Sequence, residues 1–259
     1  MWPFVLRILS RFGWLHSTRR IAAGHTSESD DPVGPRLVKP AKVLAVENDR
    51  VETGVPDLEH SFALTLELLG YALDRQNAEN EGHSKRVTVF SIAIARAMDL
   101  SREKIDVMAR SVFLRDIGKM SVPDAILRKP GKLLDNEQRI LRQHAYYGYK
   151  MLSKIPFLVE ASEIVYSHHE RFDGSGYPRG LKGEEIPLGA RIFAVADTLD
   201  DIASEHPSSF PQILRARQQI EKGSGSQFDP EVVKVFLGMP GEIWLDLRKE
   251  LNGRPGGLT

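Results

Sequence analysis

A chain of 259 residues, 41% hydrophobic and 27% charged, has ordinary globular composition and enough apolar residues for a sizeable core. Its 35 basic and 35 acidic residues cancel, so no global field draws it to a nucleic-acid polymer or an anionic membrane, and any phosphate binding must be local. Cysteine is absent, which excludes disulfides, thiol catalysis and zinc ribbons and leaves histidine and carboxylate to hold any metal.

Residues 1–20 mix large apolar side chains with arginine. Arg7 and Arg11 interrupt the run well short of the roughly 20 residues of a membrane span, and a signal peptide would place its charge first and an unbroken apolar core after it. An interfacial helix making weak contact with a membrane and an unstructured extension both fit this segment. Residues 21–56 read as a linker rich in Gly, Ser, Asp and Pro, with one short strand at Ala41-Lys-Val-Leu-Ala-Val46. The folded domain is expected over 57–250, all-α, with a disordered tail at 251–259.

Within that domain Asp57 caps a helix to about Ala78, whose Leu58, Phe62, Leu66, Leu69 and Leu73 recur at spacings of three and four. The next helix begins at His83, four residues before Val87 on the stripe of Phe90 and Ile94, so this imidazole faces inward. Ser101 caps a helix with Ile105, Met108 and Val112 inside; Asp116, four residues further, is a costly interior carboxylate unless paired or metal-bound. Gly118 and Pro123 end it, ahead of the basic loop Arg128-Lys-Pro-Gly-Lys132. One helix from Asp135 to Leu152 has Ile140, Leu141, His144, Tyr147 and Met151 on its inner stripe, and Leu158, Ala161, Val165 and His168 repeat the pattern after Pro156. Leu188 to Asp197 is apolar nearly all round apart from Arg191, and is therefore buried. Helices at Pro211–Lys222 and after Phe228-Asp-Pro230 complete the fold.

His83, Asp116, His144, His168, His169 and Asp197 thus project inward from several helices. Each alone could be a hydrogen-bonded core residue. Six of them, in a chain with 8 histidines, are hard to satisfy with one another. Dications compensate buried carboxylates and take neutral imidazole as ligand, so a site of more than one metal is the simpler account. Glu79, four residues before His83, is a further candidate ligand.

The sequence resembles the HD-GYP family of bacterial metal-dependent phosphohydrolases over about residues 58–240. The motifs that carry the likeness are Gly82-His-Ser-Lys-Arg-Val87, Asp116-Ile-Gly-Lys119, Pro123-Asp-Ala-Ile-Leu-Arg-Lys-Pro-Gly131, His168-His-Glu-Arg-Phe-Asp-Gly-Ser-Gly-Tyr-Pro178, Ile186-Pro-Leu-Gly-Ala-Arg-Ile192 and Gln227-Phe-Asp-Pro230. The resemblance implies an HD-type helical bundle behind a short N-terminal extension, a centre of divalent iron or manganese, and hydrolysis of cyclic di-GMP in cytoplasmic signalling, peripheral membrane contact resting on residues 1–20 alone. It also implies candidate protein partners such as diguanylate cyclases. By matching positions Glu79, His83, Asp116, His144, His168, His169 and Asp197 would be ligands, with Asp116 bridging. Asp116 and Lys119 would serve catalysis, while Lys119, Arg115, Asp173, Gly174, Gly176 and Tyr177 would meet the substrate.

Two departures bear on activity. Where the family has His-Asp, this chain has Arg115-Asp116, and a guanidinium has no lone pair to offer and keeps its charge. Turned inward, Arg115 opposes a dication and leaves one or two ions; turned out toward the 120s loop, it leaves the metals alone. The second departure is Glu205-His-Pro-Ser-Ser209, where the family has an arginine and a Tyr-Arg pair. Three functions follow as readings: a cyclic di-GMP phosphodiesterase with impaired turnover, a degenerate nucleotide- or protein-binding module, and a phosphohydrolase for another phosphorylated substrate.

Overall fold

The computed structural model describes residues 65, 68–70, 72–73, 82–205 and 209–252. Residues 1–56, with the expected strand at 41–46, and most of the tail lie outside them. The six described residues before Gly82 are helical. They are followed by α1 (His83–Ala97), α2 (Arg102–Leu114), a 3-10 turn (Ile117–Ser121), the single turn α3 (Asp124–Leu127), α4 (Asp135–Arg142), α5 (His144–Leu152) and α6 (Val159–Ser167). After a long loop come α7 (Leu188–Ser204), α8 (Phe210–Lys222), α9 (Pro230–Gly238) and α10 (Gly241–Asn252). The fold is all-α, with no strand among the described residues. No described helix is long and apolar enough to cross a membrane.

The bundle is built around α1, against which α2, α7, α9 and α10 pack. The expected single apolar stripe of α1 understates this: every residue from Val87 to Ala95 is buried. Its polar positions survive burial through local bonds, as where the Thr88 hydroxyl donates to the Ser84 carbonyl at 2.7 Å. The caps follow the sequence: Ser101 accepts from the Lys104 N–H, and Asp229 from that of Glu231 at 2.8 Å, with Pro230 in the first turn.

Three elements differ from expectation. The 135–152 helix is two helices, broken at Gln143, whose N–H bonds the Ile140 carbonyl three residues back at 3.1 Å. The tightened turn re-aims the chain: α4 buries no residue, whereas α5 buries His144, Ala145, Gly148 and Leu152. The helix expected to end at Asp197 runs on to Ser204, because Leu199, Ile202 and Ala203 extend its buried face without a breaker. Beyond the expected helices lies α10, which places Trp244 edge-on to Phe90 at 5.6 Å and wholly out of solvent.

Gly118 lets the 3-10 turn lie directly on α5. A Cβ there would stand 1.9 Å from the His144 carbonyl oxygen and 2.5 Å from the Gly148 nitrogen. Gly118→Ala is therefore expected to cost at least about 2 kcal/mol by overpacking and to push Asp116 away from His144. Thermal unfolding checks the first effect and metal content the second.

Candidate metal centre

Two groups of side chains form the site. In the first, His144 begins α5 while His168 and His169 follow the C-terminus of α6, and α5 and α6 pack together. This answers how adjacent histidines that diverge by about 100° on a helix reach one centre: His169 lies beyond the helix end. His144 Nε2 stands 3.2 Å from His168 Nε2 and 3.2 Å from His169 Nε2. One ligand atom from each of the three lies within 4.8 Å of the others. Asp116, just past α2, brings Oδ1 to 3.6 Å from His144 Nε2, and Lys119 Nζ to 3.0 Å from that same oxygen.

The protonation pattern suits a cation. His144 Nδ1 donates to the Leu141 carbonyl at 2.7 Å and His168 Nδ1 to the Val165 carbonyl at 2.6 Å, which leaves lone pairs on both Nε2 atoms. Burial holds all three imidazoles below their ordinary range, reinforced at His168 and His169 by neighbouring histidines and at His144 by the charges of Lys119 and Arg115; His169 falls to about 3. With neutral rings at most one of the two 3.2 Å contacts is a hydrogen bond. The remaining lone pairs face each other, and a dication relieves that repulsion. The N/O donor set fits iron, manganese or zinc.

In the second group His83 Nε2 lies 3.3 Å from Asp197 Oδ1, while its Nδ1 donates to Asp200 Oδ2 at 2.9 Å. Burial lowers the proton affinity of this imidazole, but the bonds to Asp197 and Asp200 outweigh that and raise it to about 10. Both groups share one electrostatic site, since Asp116 and Asp197 each act on His169 and Arg115 acts on His83. Glu79 lies outside the described residues.

Arg115 is turned inward and 3% exposed. Its Nε lies 3.3 Å from Asp116 Oδ2, one terminal nitrogen donates to Ser84 Oγ at 2.9 Å, and the guanidinium rests over Phe193 at 5.6 Å. Burial raises the Asp116 pKa, but Arg115 and then Lys119 outweigh it and hold the carboxyl well below its usual range. The outward orientation toward the 120s loop is not the one observed.

The loop after His169 is held by Glu170, a 5%-exposed carboxylate that accepts from the Arg179 N–H at 2.8 Å and the Leu181 N–H at 3.2 Å. Its glycines serve the loop itself. Gly174 has φ +87°, and a Cβ on Gly176 would lie 2.3 Å from the Arg171 nitrogen. Asp173, expected at the substrate, is exposed and caps the turn, accepting from the Ser175 N–H at 2.9 Å. Tyr177 stacks on His169 at 4.6 Å and forms one wall of the centre.

Four residues to which the sequence pattern gives no role support the site: Asp200, Arg248, and, from within the family motifs, Arg86 and Glu170. Asp200 is fully buried and also accepts from Arg86 Nε at 2.8 Å and from Arg248 at 2.6 Å. Its place three residues after Asp197 on one helix was a usable signal, as was Glu170 directly after the histidine pair. Nothing in the sequence marks Arg248, which lies on α10 beyond the expected helices.

A family model described as the HD domain matches residues 68–232. The chain belongs to the HD-GYP family. Among HD-GYP relatives, a cyclic di-GMP phosphodiesterase of Thermotoga maritima is 42% identical over 188 residues, covering 71% of this chain and 51% of the relative. The 3'3'-cGAMP-specific phosphodiesterase 3 of Vibrio cholerae is 38% identical over 190 residues, covering 73% and 39%. The crystal structure of a cyclic GMP-AMP-specific phosphodiesterase of V. cholerae shares the fold, with TM-score 0.57 at 22% identity over 73% of this chain and 50% of that one. The chain thus spans about half or less of each of these proteins.

Proposed function

We propose that this HD-GYP domain is a metal-dependent phosphodiesterase of cyclic di-GMP signalling whose turnover is impaired at Arg115. The observation that carries the reading is the set of facing imidazole lone pairs beside Asp116 and Lys119. Sequence likeness to cyclic di-GMP and cGAMP phosphodiesterases supports the substrate class.

Asp116, His144, His168 and His169 would hold one ion, iron or manganese by the donor set. Such an ion supplies Lewis acidity toward a phosphoryl oxygen and toward water. Lys119, 3.0 Å from Asp116, is placed to neutralise charge that develops on the phosphate. Tyr177 stacks on His169 beside the centre, and Glu170 ties down the loop that carries it. His83 and Asp197 would complete a second ion position with Asp116, but Arg115 already occupies the other Asp116 oxygen with a fixed positive charge.

Elemental analysis of protein purified without chelator tests this. About one ion per chain is expected, lost in His144→Ala and His168→Ala; manganese should also raise the melting temperature of the parent, and much less that of the variants. A second ion bound at full occupancy would show that Arg115 does not compete. No metal at all would favour the binding-module reading, for which the Arg115–Asp116 pair is the specific support.

A further inference from the structure

Arg142 is the last residue of α4, at the corner where the break at Gln143 turns the chain into the metal centre. Its guanidinium lies over the Tyr177 ring at 4.9 Å, and Tyr177 in turn stacks on His169 at 4.6 Å with the planes 19° apart. The side chain is exposed, and among the described residues it makes no hydrogen bond or ion pair. The aromatic contact fixes where the cation sits and leaves its N–H edge uncommitted. Other cations of this face are engaged: Lys119 with Asp116, Arg179 with Glu163 and Ser167, and Arg171 with Ser175.

A cyclic dinucleotide carries two phosphodiesters, and a centre built on the three histidines with Lys119 can neutralise only one. We propose that Arg142 is a substrate-binding residue that takes the second, non-scissile phosphodiester. The inference rests on the phosphodiesterase reading above. A planar guanidinium offers two parallel N–H donors to phosphate oxygens, a geometry that a lysine on the same aromatic face would not supply. The same contact makes Arg142 specificity-determining, because a substrate with one phosphodiester gains nothing from it.

Calorimetric titration of the full chain loaded with manganese tests the proposal, using cyclic di-GMP and the linear dinucleoside monophosphate GpG, which has the same bases and a single phosphodiester. Arg142→Met is expected to weaken cyclic di-GMP binding about tenfold, the loss of one charge-assisted contact, and to leave GpG unchanged within about twofold. Arg142→Lys should recover part of the loss. The metal content of both variants should match the parent, since Arg142 is not a ligand. Equal losses for the two nucleotides would overturn the proposal in favour of a base contact or a displaced loop, as would an unchanged affinity for cyclic di-GMP. If the parent binds neither nucleotide, the phosphodiesterase reading itself falls, and this assignment with it.

Discussion

Replacing Arg115 by histidine is expected to raise the metal content of the protein by about one ion per chain and its turnover of cyclic di-GMP by at least about tenfold. The guanidinium Nε sits 3.3 Å from Asp116 Oδ2, buried with it, and so supplies the compensating charge that a dication would otherwise supply. Histidine removes that cation and adds a neutral nitrogen beside Asp116. A tenfold gain corresponds to only about 1.4 kcal/mol of transition-state stabilisation, a modest demand on a restored Lewis acid. Rescue should remain partial and appear in kcat more than in KM, because Glu205-His-Pro-Ser-Ser209 still lacks the arginine and tyrosine contacts expected of the family. Elemental analysis and turnover of the dinucleotide with supplied manganese decide it. A parent that is already fully loaded, and as fast as the variant, would show that Arg115 is harmless.

The second large effect falls on Asp200. Its carboxylate is fully buried and accepts from His83 Nδ1 at 2.9 Å, from Arg86 at 2.8 and 3.0 Å, and from Arg248 at 2.6 Å. Asp200→Asn removes the negative charge that two buried guanidinium groups share, and should cost about 3–5 kcal/mol, a fall of roughly 10 °C in melting temperature for a domain of this size. The acid limb of the stability curve should change too. Burial alone would raise the Asp200 pKa, but the bonds from His83 and Arg86 and their charges hold it at about 2, below its unfolded value. A depressed carboxyl stabilises the fold above the unfolded pKa near 4 and loses that contribution as pH falls toward 2. The asparagine variant should therefore show a shallower loss of stability across that window, by about 2 kcal/mol. Denaturant titrations at pH 7, 4 and 2.5 would measure both effects, and a variant as stable as the parent at pH 7 would refute the role.

The inward phase of His83, Asp116, His144 and His168 was legible in the sequence because helical period ties a side chain's direction to its apolar neighbours, and burial of apolar stripes is what the fold obeys first, whereas Asp197, expected inside with them, keeps its side chain 30% exposed. The long motifs fixed the family for the same local reason: glycine, histidine and aspartate at set spacings leave few alternatives. Tertiary structure decided three other matters. Whether Arg115 faces the centre or the solvent depends on partners distant in sequence, the Ser84 hydroxyl from α1 and the Phe193 ring from α7. The break at Gln143 carries no proline or glycine; it is paid for by what α5 gains in packing on the 3-10 turn and α6. Finally, the support of His83 comes from Asp200 and, through it, from Arg248 on the last helix, 48 residues further along the chain. No periodicity announces such a pairing, because a buried charge is tolerated only where the assembled fold brings its counter-charges to it.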